Sequence, residues 1–189
     1  MKYLFLTILS MLAICANAQD AKTDGKQKGY FNITELGIYF GKAFREMEEP
    51  KPGTPSYFKG NSTMTTARTI NGVFLNPHLS LGIGLGLENH TTTWDVNYAS
   101  LLYFLDTRLY LSKNKPNSLF VFFDVGFTSV LGDHGLPSNL ISTGAGYKFR
   151  VGNALLLNVS GGYDRIQRTT GGMGSYDFST TGIKAGVLF

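Results

Sequence analysis

The feature that most constrains this chain is a strict alternation over residues 79–88, Leu-Ser-Leu-Gly-Ile-Gly-Leu-Gly-Leu-Glu. Neighbouring side chains of an extended chain point to opposite faces, so every apolar residue of this segment falls on one face. A period of two sustained over this length predicts a β-strand and excludes a helix. The opposite face carries three glycines, where a soluble sheet usually presents Lys, Glu and Thr to water. The segment is therefore unusual for a soluble sheet.

The same alternation recurs along the chain and is interrupted by turn residues each time. The predicted strands lie near 30–42, 64–76, 79–88, 97–111, 118–131, 139–151, 154–165 and 177–189. Long connections are expected at 43–63, 89–96, 132–138 and 166–176, and short ones at 76–78, 112–117 and 151–153. Long loops at one end and short turns at the other are typical of an outer-membrane barrel with both termini on the periplasmic side.

These strands predict an all-β fold, an eight-stranded antiparallel up-and-down transmembrane β-barrel. In lipid every backbone N–H and C=O must be paired within the protein, so a spanning sheet has to close on itself. The apolar alternate residues would face lipid, and aromatic residues near strand ends would form interfacial girdles. The expected girdle residues are Tyr147, Phe149, Tyr163, Tyr176, Phe178 and Phe189. A secreted soluble barrel similar to the lipocalins is the alternative.

Residues 1–18 predict an export signal. Lys2 precedes an apolar stretch at 3–14, and Ala16-Asn17-Ala18 is a small-x-small cleavage site. Lipidation at Cys15 is the alternative, although Ile14 before it is not small. We expect a signal peptide at 1–18, a flexible periplasmic leader at 19–28 and the barrel at 29–189. Cys15 is the single cysteine, so the mature chain would have no disulfide, thiolate nucleophile or cysteine-ligated metal.

The inward positions of the predicted strands carry charges of both signs. An eight-stranded barrel is filled by side chains, and buried charges must pair because desolvation costs several kcal/mol each. We therefore expect a structural interior network, in which Arg108 pairs with Asp124 or Asp106, and Lys184 with Glu35. A polar ion path is the alternative. The expected members are Glu35, Glu88, Asp106, Arg108, Asp124, Lys148, Arg150, Asp164 and Lys184.

Glycines also occupy inward positions. They are expected to leave space for the long Arg and Lys side chains, so Gly84→Ser should be far milder than Ile83→Arg on the lipid face. The inward glycines are Gly82, Gly84, Gly86, Gly144, Gly146 and Gly182.

Three segments, 29–37, 70–88 and 182–189, carry a family resemblance. The chain resembles the small eight-stranded outer-membrane β-barrel proteins of Gram-negative bacteria, above all the porin-family type of Bacteroidota. The resemblance covers the whole mature chain and implies an outer-membrane monomer in contact with membrane lipid and lipopolysaccharide. It also implies that the barrel-assembly machinery reads the last strand. The residues that match that assembly signal are Ile183, Ala185, Val187 and Phe189.

Few side chains in this sequence could bind a metal ion or catalyse a reaction. His78, His90 and His134 fall in a turn and two loops by this pattern, without the spacing of a metal site, so we expect neither a metal ion nor a cofactor. His78-Leu79-Ser80 has the H-x-S spacing of outer-membrane lipid A deacylases, which are also eight-stranded barrels, and one face could hold a base and a nucleophile. The pair lies beside a predicted periplasmic turn, away from the outer leaflet. We therefore expect no enzyme and no catalytic residue.

The net charge and the loops limit the functions that can be expected of this protein. Only Lys2 of the charged residues precedes residue 19, which leaves 16 basic against 13 acidic residues, a net charge of +3. That charge is too small to indicate a nucleic-acid partner. We expect a non-enzymatic protein with a structural, envelope or surface-interaction role through its extracellular loops, including the charged, Pro-rich segment 45–55. Small-solute binding or slow conduction through the polar interior is the alternative, and a lipid-modifying enzyme is a further one.

Overall fold

The computed structural model describes residues 27–46, 57–93, 97–131, 137–151, 155–170 and 174–189. The expected signal peptide at 1–18 lies outside these residues. Eight strands pair in chain order, each antiparallel to its neighbours, and β1 also pairs with β8 to close the barrel. This confirms the predicted fold. The strands are β1 (Gly29–Glu46), β2 (Tyr57–Asn76), β3 (Leu79–Thr92), β4 (Asn97–Tyr110), β5 (Ser118–Val130), β6 (Ser138–Val151), β7 (Leu155–Thr170) and β8 (Gly174–Leu188).

Large apolar side chains are exposed on the outer face of the barrel wall. In β3, Leu81, Ile83, Leu85 and Leu87 are all exposed, and Ile83 keeps 64% of its surface accessible. The residues between them are buried or half-buried. Exposed apolar residues recur on the outer face of the other strands and form an apolar belt, which is interrupted in the middle of β2, where the outward residues are polar or small. Inside the barrel, polar and charged residues lie among buried apolar and aromatic ones such as Phe104 and Phe122. In the described part of the chain we find no helix with the length and apolarity to cross a membrane.

The strands extend further than the apolar alternation predicts. β1 continues to Glu46 and β2 begins at Tyr57, with these two residues directly opposite each other. Most of the predicted loop 43–63 is therefore strand, and so are large parts of 89–96 and 166–176. The predicted difference in connection length between the two ends holds only in part. The longest break, 47–56, and the shortest, 77–78, lie at the expected ends, but 111–117 is as long as 131–137, and 171–173 is as short as 152–154. Backbone pairing continues where the outward residues have already become polar, as at Asn61 and Thr63.

The described chain enters the barrel at the end where β1 begins and β8 ends, called the terminal end below. Gln27 is buried, and its side-chain oxygen accepts a hydrogen bond of 2.8 Å from the backbone N–H of Asn114, in the connection between β4 and β5. Gly29 then adopts a φ of +81°, which only glycine adopts freely, and starts β1. The last residues of the expected flexible leader 19–28 are therefore ordered, while 19–26 lie outside the described residues.

The orientation in the membrane can be tested by proteolysis. If the terminal end faces the periplasm, the segments 47–56, 94–96, 132–136 and 171–173 face the outside, called the loop end below. We expect proteinase K added to whole cells to cut within 47–56, the longest break between strands, and to leave 111–117 intact. Mass spectrometry of the fragments identifies the site. Cleavage of intact cells within 111–117 would invert this orientation.

Candidate functional site: the closed barrel interior

The centre of the barrel is organised around Arg68 of β2. One guanidinium nitrogen lies 2.5 Å from Oδ2 of Asp164 on β7, and the other lies 3.6 Å from Oδ2 of Asp124 on β5. None of these side chains is accessible to solvent. Asp164 also accepts a hydrogen bond of 2.5 Å from the Ser142 hydroxyl of the neighbouring strand. Arg68 therefore crosses the lumen and links three walls of the barrel.

Arg108 and Lys184 extend this arrangement. Arg108 Nε lies 3.0 Å from Asp106 Oδ2, and its Nη2 lies 2.8 Å from Glu35 Oε1. Lys184 Nζ lies 3.7 Å from Glu35 and 3.9 Å from Asp124. Every one of these side chains is at most 2% exposed. Together they form one connected group, called the charge network here: Glu35, Arg68, Asp106, Arg108, Asp124, Asp164 and Lys184.

The strand register explains why these charges meet. Asp106 and Asp124 stand directly opposite each other on β4 and β5, both pointing inward. Like charges at paired positions destabilise a sheet, so cations are needed beside them. Arg108 comes from the same strand as Asp106, whereas Arg68 and Lys184 come from β2 and β8 and reach Asp124 across the lumen. The network thus holds the wall carrying the two aspartates to the opposite wall.

The sequence-based candidates fall into three groups. Six of them, Glu35, Asp106, Arg108, Asp124, Asp164 and Lys184, lie in the charge network. Glu88 lies towards the loop end, where its Oε1 is 3.0 Å from His90 Nε2. Lys148 lies towards the terminal end, with its ammonium 5.1 Å from the centre of the Tyr110 ring. Arg150 follows Lys148 on the inward side of β6 but is only half-buried, because β6 ends at the next residue, and it lies outside the charge network.

Arg68 is the member that sequence reasoning missed. In the strand predicted near 64–76, the inward residues include Ile70 and Phe74. Arg68 lies an even number of residues before Ile70 and Phe74, so the same alternation places its side chain inside the barrel. Ser62, Thr66 and Arg68 are all buried on this inward face.

The inward glycines make room mainly for aromatic rings. A Cβ at Gly84 would overlap the ring of Phe104, and one at Gly146 would overlap that of Phe120. A Cβ at Gly144 or Gly182 would approach the rings of Phe122 and Tyr39 and would also overlap backbone oxygens of the neighbouring strands. Among the predicted positions only Gly86 lies against a long basic side chain, that of Arg68. The expectation that these glycines serve Arg and Lys is therefore wrong for most of them.

Aromatic side chains lie inside the barrel on both sides of the charge network. Towards the terminal end the rings of Phe31, Phe74, Tyr110 and Phe120 follow one another with centroids 5.1, 5.5 and 5.6 Å apart, and we call them the terminal aromatic layer. Its members come from four different strands. This layer adjoins the charge network on its terminal side, since the Arg108 guanidinium is 5.3 Å from the centre of the Phe120 ring.

A second aromatic group lies towards the loop end and includes residues expected elsewhere. His90 stacks on Tyr98 with centroids 4.9 Å apart and contacts Phe178, which in turn stacks on Tyr176. His90 is buried in β3 rather than placed in a loop, and Phe178 is buried inside rather than in an outer girdle. Tyr147 and Tyr163 do lie exposed on the outer face, as expected. Phe178 differs from Tyr147 and Tyr163 because the even-numbered residues of β8 point into the barrel, whereas the odd-numbered residues of β6 and β7 point outward.

The last strand closes the barrel at the candidate assembly signal. Ile183 and Ala185 are exposed on the outer face, and Val187 and Phe189 are half-buried. Phe189 exchanges two backbone hydrogen bonds with Asn32 of β1, of 2.8 and 3.1 Å. These residues therefore form the seam between the first and last strands.

The H-x-S pair is not arranged as a base and a nucleophile. His78 is exposed in the turn and its Nδ1 lies 2.8 Å from the backbone oxygen of Tyr110. Ser80 is fully buried inside the barrel, so the two side chains do not share a face. Across the described ranges no cluster of three His, Cys, Asp or Glu side chains is placed to hold a metal ion. His134 lies outside those ranges.

Comparison with known proteins supports the fold. No protein-family model matches the chain, and no curated protein does. Among solved structures, the outer membrane protein OprG from Pseudomonas aeruginosa is similar, with a TM-score of 0.58 and 11% identity over 88% of this chain and 98% of OprG. The outer membrane protein AlkL in DMPC bilayers has a TM-score of 0.51 and 12% identity over 87% of this chain and 91% of AlkL. The chain thus has the fold of the small eight-stranded outer-membrane β-barrels, and the expected location in the outer membrane agrees with that fold.

Proposed function

We propose that this protein is a closed, non-enzymatic barrel of the outer membrane that supports the cell envelope and makes surface contacts at its loop end. The observation that carries the proposal is the filled lumen. The charge network crosses the centre with side chains that are at most 2% exposed. The terminal aromatic layer lies between the network and the terminal end, so a solute entering from the loop end would meet the network first and then the layer.

The composition of the network favours a structural role over an ion path. Each of its three cations contacts two carboxylates, which compensates the cost of removing the charges from water. Moving an ion through this region would require breaking several of these contacts at once. Conduction needs sites that bind weakly enough to release the ion, which is the opposite arrangement.

A conductance measurement tests the closed lumen. We expect the refolded protein in planar bilayers to show no current steps above those of protein-free lipid. The matched variant is Asp164→Asn, which removes one buried charge in contact with Arg68. Current steps in the wild type that change in size in this variant would place an ion path through the lumen and contradict the proposal.

Small-solute binding is the second candidate, and the polar residues between the charge network and the loop end favour it. The side-chain oxygens of Ser62, Thr66 and Ser100 are buried without a hydrogen-bond partner, and so is Oε2 of Glu88, whose Oε1 lies 3.0 Å from His90 Nε2. Buried polar atoms are nearly always paired with protein or water, so this part of the lumen is suited to holding polar molecules. Thr66, Glu88 and Ser100 lie side by side on three adjacent strands. A solute that stabilises the wild type against heat but not Glu88→Gln would support this role.

Genetic complementation separates the envelope role from the surface-contact role. Glu46 and Tyr57 are directly paired, so residues 47–56 can be replaced by an Asn-Gly turn without changing the strand register. We expect deletion of the gene to sensitise the cells to bile salts and large antibiotics, and we expect this shortened barrel to restore resistance. Restoration only by the full-length chain would assign the role to the loop contact. Unchanged resistance after deletion would contradict the envelope role.

A further inference from the structure

One part of the outer wall interrupts the apolar belt. The outward residues of β2 between its two ends are polar or small, whereas those of the adjacent β3 are large and apolar. Asn71 pairs with Ile83 and Thr69 pairs with Leu85, so these polar side chains lie beside the middle of the exposed apolar run of β3. They are therefore inside the belt and not at its rim.

Neighbouring residues of β1 join them. Asn32 Nδ2 donates hydrogen bonds to Asn71 Oδ1 at 2.8 Å and to Thr69 Oγ1 at 3.2 Å. The hydroxyl of Tyr30 donates to the same Asn71 oxygen at 2.5 Å, and the Thr34 hydroxyl lies 3.5 Å from that of Thr69. We call this group, together with exposed Ala67 in its continuation along β2, the outer polar patch: Tyr30, Asn32, Thr34, Ala67, Thr69 and Asn71.

The hydrogen bonds inside the outer polar patch leave it incompletely paired. Asn71 Oδ1 accepts two of them, but none of the patch's own hydrogen bonds uses the Nδ2 group of Asn71. Lipid chains offer no acceptor for an amide N–H, and an unpaired amide is costly in an apolar medium. A protein surface that brings acceptors to this position would relieve that cost.

We propose that the outer polar patch is the contact surface for a second copy of this chain in the plane of the membrane. Amide and hydroxyl groups both donate and accept, so the patch is complementary to itself under a two-fold axis. Ala67 and the threonines are small, which lets two walls approach closely, as small and polar side chains do where transmembrane helices associate. The proposal replaces the monomer expected from the family resemblance by a homodimer.

Cross-linking tests the contact with a matched pair of alanines. Ala67 lies in the patch, and Ala145 is exposed on β6, on the opposite side of the barrel. The mature chain has no cysteine of its own if the signal is removed, so Ala67→Cys and Ala145→Cys each carry one thiol. We expect a short bifunctional thiol reagent to yield at least ten-fold more dimer from Ala67→Cys than from Ala145→Cys in vesicles with a large excess of lipid. Equal yields, no dimer, or an adduct with a different protein in native membranes would overturn the proposal.

A second variant tests the same surface without cross-linking. Thr69→Leu combined with Asn71→Leu replaces only outward side chains, and heat modifiability on gels checks that the barrel still folds. We expect sedimentation in detergent to give a dimer mass for the wild type and a monomer mass for the double variant. A dimer mass for both proteins, or a monomer mass for both, would overturn the proposal.

Discussion

Ile83→Arg is expected to lower the free energy of unfolding in lipid by about 2–4 kcal/mol, the cost of an arginine at mid-membrane on the outer face of such a barrel. Ile83 is 64% exposed and is flanked on the same face by Leu81 and Leu85. In water an exposed isoleucine would be replaced at little cost, so the size of the effect reports the medium around the strand. Guanidinium titration of the protein folded into lipid vesicles measures it.

The matched control is Asn89→Arg on the same strand and the same face. Asn89 is exposed and is the next outward residue, two residues beyond Leu87, the last apolar one; there the cost falls to about 0–1 kcal/mol. Equal costs at Ile83 and Asn89 would mean that β3 does not cross an apolar phase. Gly84→Ser, the mild neighbour expected from the sequence, is unsuitable because a Cβ there overlaps the Phe104 ring.

The barrel could be predicted from the sequence because lipid and lumen impose opposite requirements on alternate residues. Segment 79–88 alone gives the strand, the two faces and the outward direction of the leucines. The strand ends could not be predicted in the same way. The apolar alternation marks only the part of a strand that faces lipid. Hydrogen bonding between β1 and β2 continues beyond that part, to the pair Glu46 and Tyr57. The predicted loops were consequently too long.

The interior was harder to predict. The odd or even position of a residue along its strand shows whether the side chain points inward or outward, but not which residue it contacts across the lumen. The alternation placed Asp106 and Asp124 inside, but only the closed structure shows that Arg68 crosses from β2 to contact Asp124 on β5. The packing of Phe104 over Gly84 is equally invisible in the alternation, since both residues simply count as inward. The polar outward residues Thr69 and Asn71 depart from the apolar pattern, and this departure is visible in the sequence.

Arg68→Met is expected to destabilise the barrel most strongly among single changes in the charge network. The substitution leaves Asp164 without its contact of 2.5 Å and deprives Asp124 of one of its two cations. Removing one partner of a buried ion pair typically costs about 3–5 kcal/mol, because the remaining charge is buried without compensation. Guanidinium titration in vesicles at neutral pH measures the loss. A loss below about 1 kcal/mol would show that water reaches the carboxylates.

The double-mutant cycle of Arg68→Met with Asp164→Asn isolates the pair itself. Because Asp164→Asn removes the charge that the first change leaves unpaired, the double variant should recover part of the lost stability, and the coupling free energy should differ from zero. Arg165 and Asp177 provide a control on the outer face, with a similar contact of 2.6 Å but side chains that are 46% and 30% exposed. An ion pair in contact with water contributes about 0.2–1 kcal/mol, so the cycle of Arg165→Met with Asp177→Asn should give a much smaller coupling. If the two cycles give equal couplings, burial is not what strengthens the Arg68–Asp164 contact, and the lumen is solvated.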